Sequence, residues 1–230
     1  MKAIIQDEVV IPSFGRFLRE AGALADLARR GSATRPVVRQ GDGRPVLVIP
    51  GFLSTDGSTQ LLRATLSQAG YNALPWGRGL NLGVRAGLLE DMAAQVAEIS
   101  DREQRKVAIV GWSLGGLYAR EIAKLAPDKV SRVVTMGSPF SGSPRANRVW
   151  WLYELINRHP VDRLPIEVDL CAKPPVRTVA LWSREDGIVA PACARGLPHE
   201  VDEAVEVGCS HIGFMSCADA FDAVFDALEA

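Results

Sequence analysis

Long apolar runs, an excess of one charge and metal-binding spacings are all missing from this sequence. The longest hydrophobic stretches are strand-length, which excludes a membrane-spanning helix. With 26 Lys and Arg against 27 Asp and Glu the net charge is −1, so no field draws the chain to nucleic acid or an anionic membrane surface. Four cysteines (Cys171, Cys193, Cys209, Cys217) show no C-x-x-C spacing, and three histidines in 230 residues leave a zinc site little to use. The cysteines read as small buried apolar residues. Cys171 and Cys193 flank an expected strand and are the pair to test for a disulfide. The start, Met1-Lys-Ala-Ile-Ile-Gln-Asp-Glu, lacks the apolar core of a secretory signal, so a cytoplasmic protein is expected.

What is present is ordinary in bulk and specific in pattern. A chain that is 47 % hydrophobic and 23 % charged can bury one large core, and its length suits one α/β domain spanning 1–230. Residues 13–30 place Phe14, Phe17, Leu18, Ala21, Leu24, Leu27 and Ala28 at helical spacing, with arginines and acids between them. This amphipathic helix ends near Gly31 and is expected to cover one face of a sheet; a membrane-surface role is the alternative.

From residue 45 onward strands and helices alternate. Strands are expected at Val46–Pro50, Tyr71–Leu74, Lys106–Val110, Val130–Met136, Val176–Trp182 and Glu203–Val207. Helices are expected near Ser58–Ala69, Arg85–Ile99, from Leu114 to Ala126 and at Ala218–Leu228. That alternation implies a mostly parallel sheet of about six or seven strands, with right-handed crossovers and helices on both faces. The long gap at 141–175 holds an apolar helical stretch, Asn147–Asn157, read as a small lid. Trp150, Trp151 and Tyr153, with Trp112 near the centre of the chain, are its candidate substrate-facing groups. The alternative is a helix that merely packs on the sheet edge.

The segment Val107-Ala-Ile-Val-Gly-Trp-Ser-Leu-Gly-Gly-Leu117 carries most information. It reads as strand, G-x-S-x-G, then helix, which lifts the Ser113 hydroxyl clear of the sheet at a tight turn. Gly111, Gly115 and Gly116 let backbone approach there without Cβ clashes. The plain reading is a glycine-rich turn that packs a helix on its strand, though such a turn has no need of serine. A serine nucleophile needs a base. Of His159, His199 and His211, only His211 follows the last strand and so arrives at the same sheet edge as Ser113. Asp186, in Glu185-Asp-Gly-Ile-Val189 after the strand at 176–182, is the carboxylate to orient it, with Gly187 permitting a sharp turn; Glu185 is the competitor. Two backbone N–H donors are needed for an oxyanion. Leu114 supplies one by position, and Phe52, in Ile49-Pro-Gly-Phe-Leu53, is the other candidate.

Together these residues resemble the α/β-hydrolase superfamily, in particular its small bacterial lipase- and esterase-like members. The matching segments are Pro50-Gly-Phe, Gly-Trp-Ser113-Leu-Gly, Met136-Gly-Ser-Pro-Phe-Ser-Gly142, Asp186-Gly-Ile-Val and Gly208-Cys-Ser-His211. The resemblance covers about residue 45 to the end. It implies a serine nucleophile, a covalent acyl-enzyme, a small ester or acyl substrate and no cofactor. The chain departs from it twice. Pro50-Gly51 stands where lipase-like members carry His-Gly, so the polar support of that loop differs. The stretch before residue 45 also leaves little room for opening antiparallel strands. Serine at position 113 excludes the dehalogenase and epoxide hydrolase chemistries, which need aspartate there. Ester hydrolysis is the leading reading; the rivals are a thioesterase or acyltransferase with the same triad, and a non-catalytic binding protein on the same fold.

Overall fold

The computed structural model describes residues 10–30 and 39–229. Among the described residues six strands form one sheet: β1 Pro45–Ile49, β2 Asn72–Pro75, β3 Val107–Trp112, β4 Val130–Met136, β5 Arg177–Trp182 and β6 Glu203–Glu206. Their order is β2-β1-β3-β4-β5-β6, and every adjacent pair is parallel. The chain moves outward from β1 to β2, returns to β3, and then proceeds outward the other way. The winding direction therefore reverses between β1 and β3, where the loops beyond the strand ends splay apart and leave a crevice.

Every residue of β1 and β3 is buried, as a doubly covered parallel sheet requires. Period-2 alternation sorts their side chains to opposite faces. Val46, Val48, Ala108, Val110, Val134, Met136, Val179 and Leu181 face a core completed by helices α2 (Gln60–Gln68) and α7 (Ala218–Glu229). Leu47, Ile49, Val107, Ile109 and Val133 face α3 (Leu88–Glu103) and α4 (Leu114–Leu125). In α7 the stripe Ala220, Phe221, Val224, Phe225, Ala227 and Leu228 repeats at helical spacing and is wholly buried.

Three glycines set how closely α4 can sit on the sheet. A methyl group built on Gly111 would collide with the Gly115 carbonyl, one on Gly115 with the Ile49 carbonyl, and one on Gly116 with Ser138 Oγ. Two of those obstacles are backbone and cannot rotate away. Gly115→Ala is therefore expected to destabilise the protein by about 3 kcal/mol, the upper end of ordinary overpacking. For a domain of this size that lowers Tm by roughly 6–12 °C. Thermal unfolding of the variant checks it, and an unchanged midpoint would mean that α4 has room to move.

Most expected elements appear within two or three residues of their predicted limits. Helix α3 is the largest exception, running from Leu88 to Glu103 rather than from Arg85 to Ile99. Gly87 at φ +78° delays its start, and the polar last turn continues until Gln104 takes a left-handed cap. The short helices α5 (Trp150–Asn157) and α6 (Pro191–Arg195) and a 3₁₀ turn at Ile212–Met215 complete the described elements. The last two are too short for periodicity to reveal.

The amphipathic helix α1 (Phe14–Arg30) forms as expected but does not cover a sheet face. It lies against the 3₁₀ turn at 212–215. Phe14, Leu18 and Leu24 are exposed, while Glu20, which the pattern assigns to the polar side, is 3 % exposed. The predicted stop near Gly31, the side chains of Leu27 and Ala28, and the N-terminal residues 1–9 lie outside the described residues. Among those described, no helix is long and apolar enough to cross a membrane.

Candidate active site

Strand β3 ends at Trp112 and α4 begins at Leu114, so Ser113 alone makes the turn, at φ 55° and ψ −122°. Residues with a Cβ seldom adopt that conformation, and it persists only where the surroundings hold it. Here the Ser113 amide donates to the Met136 carbonyl at 2.8 Å, and the Gly116 amide donates to the Ser113 carbonyl at 3.0 Å. The hydroxyl does not turn back to cap α4, and Ser113 lines a cavity.

Asp186 and His211 arrive on the loops beyond β5 and β6. Both are buried, at 1 % and 3 % exposure, and His211 Nδ1 lies 2.7 Å from Asp186 Oδ2. The other carboxylate oxygen, Oδ1, accepts from the Ile188 and Val189 amides at 2.8 and 2.7 Å. With Nδ1–H donating to Asp186, the ring is left with Nε2 as its unpartnered nitrogen among the described residues. Burial disfavours the protonated ring. The charge and hydrogen bond of Asp186, helped by the charge of Glu20, outweigh it and hold the His211 pKa above the ordinary 6.5. Glu185 turns outward and pairs with Arg19 at 2.8 Å.

Several groups fix these loops. Trp112 Nε1 donates to the His211 carbonyl at 3.0 Å, and Ser183 Oγ donates to the Cys209 carbonyl at 2.5 Å. Gly137, at φ +59°, floors the pair: a methyl there would stand 3.1 Å from His211 Nδ1 and 3.2 Å from Asp186 Oδ2.

The β1 loop abuts the serine turn, and a methyl on Gly51 would lie 3.1 Å from Ser113 Cβ. Neither the Phe52 nor the Leu114 amide has a hydrogen-bond acceptor among the described residues, so both remain able to donate. Asn81 supplies this loop with polar support, the role that the resemblance gives to histidine at position 50. It is 1 % exposed. Its Nδ2 donates to the Pro50 carbonyl at 2.9 Å, its carbonyl accepts from Leu53 N and its amide donates to Ser54 O. Its Oδ1 accepts from Tyr118 at 3.2 Å. Nothing in sequence marks this asparagine, which sits in an irregular loop between β2 and α3.

The cavity has a volume of about 100 Å³ and is almost entirely apolar. Leu114, Leu117 and Tyr118 of α4 form one wall, and Trp150, Tyr153, Leu164 and Ile166 of the 141–175 segment another. Trp150 and Tyr153 thus line it. Trp112 and Trp151 do not, and these expectations are corrected. The Trp112 indole is turned into the core to hold the His211 loop, and Trp151 is 54 % exposed, its indole bonded to the Arg148 carbonyl. The buried Arg120 ties the end of the segment to α4, donating to the Leu170, Cys171 and Ala172 carbonyls while stacking on Phe140.

His199 is exposed, and His159 packs edge-on against Tyr153. All four cysteines are free, so Cys171 and Cys193 are not bridged. Among the described residues no group of three or more Cys, His, Asp or Glu could hold a metal.

A model of the alpha/beta hydrolase fold matches residues 88–164. The chain is similar to curated bacterial proteins named pimeloyl-acyl-carrier-protein methyl ester esterase. With that of Aliivibrio salmonicida it shares 42 % identity over 62 residues, 26 % of this chain and 22 % of the relative. With that of Photobacterium profundum it shares 32 % over 110 residues, 46 % of this chain and 40 % of the relative. It thus spans half or less of the length of these relatives. Among solved structures, Aspergillus fumigatus lipase B superposes with a TM-score of 0.60 at 22 % identity, covering 85 % of this chain and 56 % of the lipase. On a six-stranded parallel sheet with helices on both sides, these likenesses agree with the architecture, and the chain has the α/β-hydrolase fold.

Proposed function

We propose that this chain is a serine hydrolase of carboxylic esters, with Ser113 as nucleophile, His211 as base and Asp186 as the carboxylate that orients it. The observation that carries the reading is Ser113 itself. A non-glycine residue is held at φ 55° on the one-residue turn before α4, facing an apolar cavity, and strain of that kind persists where it serves a site. The buried Asp186–His211 pair is the second support.

In the first half-reaction Ser113 Oγ adds to the ester carbonyl while its proton passes to His211 Nε2. The carbonyl oxygen becomes an oxyanion, which the Phe52 and Leu114 amides stabilise; losing one such donor costs roughly 3–4 kcal/mol of transition-state stabilisation. Collapse expels the alkoxide, which takes the proton from His211 and leaves as alcohol. Water then adds to the acyl-enzyme by the same route and releases the carboxylic acid. Segment 141–175 acts as the lid, and its apolar lining suits an acyl chain rather than a sugar or phosphate. The names of the bacterial relatives, methyl ester esterases of a carrier-bound acyl group, support a substrate that pairs a small alcohol with an aliphatic acid.

Labelling by a fluorophosphonate probe, with the modified residue mapped to Ser113, tests the nucleophile. A panel of p-nitrophenyl esters and acyl thioesters separates esterase from thioesterase. A Ser113 that stays unlabelled at high probe concentration would favour the non-catalytic binding protein.

The pH dependence follows from His211. The base must be neutral to accept the serine proton, and its pKa is raised above 6.5. The acid limb of kcat/KM is therefore expected on the alkaline side of 6.5, measurable from initial rates between about pH 5 and 9. Stability runs the other way. A raised folded-state pKa contributes stability below the unfolded value, and that contribution is lost as pH climbs through the folded one. Activity should thus rise over the window in which this group's stabilisation fades.

A further inference from the structure

The carboxylate of Glu20 stands on α1, outside the sheet and its loops, yet it is among the most enclosed acids of the molecule at 3 % exposure. Three backbone amides converge on it. Oε1 accepts from His211 N at 2.8 Å and from Gly187 N at 2.9 Å, and Oε2 accepts from Ile212 N at 2.9 Å. Gly187 directly follows Asp186, so one side chain holds the loops of both members of the buried pair.

The docking is built closely. A methyl on Gly187 would stand 2.5 Å from the Arg16 carbonyl and 2.9 Å from Glu20 Oε1. The close approach of α1, rather than a sharp turn, is what requires glycine at 187. Around this contact Arg19 reaches Glu185 at 2.8 Å, and Arg148 Nε donates to the Pro12 carbonyl at 2.6 Å.

A buried carboxylate is costly unless its oxygens are bonded. A helix that only packed here would do so at lower cost with an apolar or neutral side chain. The charge gains its value from what it faces. Among the described residues Asp186 and Glu20 are the charged groups acting on the His211 ring, while β3 brings Trp112 and the β4 loop brings Gly137 beside Phe214, none of them ionisable. Removing Glu20 would orphan three amides, two of them buried, and leave the spacing of the two loops to the loops themselves.

We propose that Glu20 is a positioning residue for the Asp186–His211 pair, reaching from the N-terminal helix to fix both loops and to favour the imidazolium formed as Ser113 gives up its proton. This rests on the serine hydrolase reading above, and the experiment separates the two. The rate of fluorophosphonate labelling of Ser113 is measured against pH in the wild type, Glu20→Gln and Glu20→Asp, alongside an NMR titration of the His211 ring. Glu20→Gln keeps one acceptor oxygen and loses the charge. Its labelling should slow by about tenfold or more, part of what a well-placed base contributes. The midpoint of its acid limb should fall by about half a pH unit or more, with KM for an ester little changed. Glu20→Asp, with the charge retained, should recover most of the midpoint. If Glu20→Gln does not stay folded, Gly187→Ala, which wedges α1 and its carboxylate away from the loops while keeping the Glu20 charge, should show the same slowing. A wild type that fails to label sinks the hydrolase reading while the NMR titration still reports on Glu20. A folded Glu20→Gln with the wild-type rate and the wild-type His211 titration, altered only in Tm, overturns the proposal.

Discussion

Ser113→Ala should leave the fold intact and lower kcat for any accepted ester by roughly 10⁵–10⁶, the loss seen when the nucleophile of a triad is removed. Alanine keeps the Cβ and therefore the strained φ of 55°. The amide bond to Met136 and the seating of α4 are also untouched, so stability should stay within about 0.5 kcal/mol of the wild type. Rates measured with enough enzyme to reveal the residue, together with a thermal melt, check both halves. A variant that keeps a sizeable fraction of activity would place the nucleophile elsewhere. One that loses activity together with its fold would say nothing of chemistry, which is why the melt belongs to the experiment.

Asp186→Asn is the second large effect, expected at about 10⁴ in kcat. The change is isosteric. Its Oδ1 can still accept from the Ile188 and Val189 amides, so the loop should keep its shape. What changes is the group opposite Nδ1, which becomes an N–H donor where a carboxylate oxygen stood at 2.7 Å. The imidazole must then present Nδ1 as acceptor and carry its proton on Nε2, the nitrogen needed to receive the serine proton. Glu185→Gln is the matching control. That side chain is about half exposed and pairs with Arg19 at the surface, so its loss should cost little, as surface pairs generally do. Equal losses from the two variants would sink the assignment of the orienting role to Asp186.

Sequence legibility followed the range of the interactions involved. The central strands could be read because residues such as Val107–Val110 are apolar over the length of a strand, and α4 because glycines 111, 115 and 116 bracket its start. The meeting of Asp186 and His211 could be read because a parallel sheet delivers all its carboxyl-end loops to one side. Asn81 and Glu20 were hidden for the opposite reason. Asn81 supports a loop 31 positions away, and Glu20 bonds an amide 191 positions away; no local pattern encodes partners so distant. The stripe on α1 misled in a particular way. Its spacing predicted the helix correctly, but its buried anchor proved to be one acid of the polar face rather than Phe14, Leu18 or Leu24. Trp112 misled because adjacency to Ser113 in the chain places its side chain on the opposite side of the strand.

Among the described residues β2 and β6 are the outer strands, and they have a consequence for how copies of the chain can meet. β2 is four residues long and closes on Pro75, which has no N–H to offer a newcomer. β6 carries Glu203 and Glu206, each engaged by an arginine, Arg177 and Arg184. A neighbour adding its own backbone at either margin would meet a missing donor or a row of acids. Such margins discourage ladder growth from molecule to molecule, so crowding at high concentration should not convert this protein into fibrous stacks by that route.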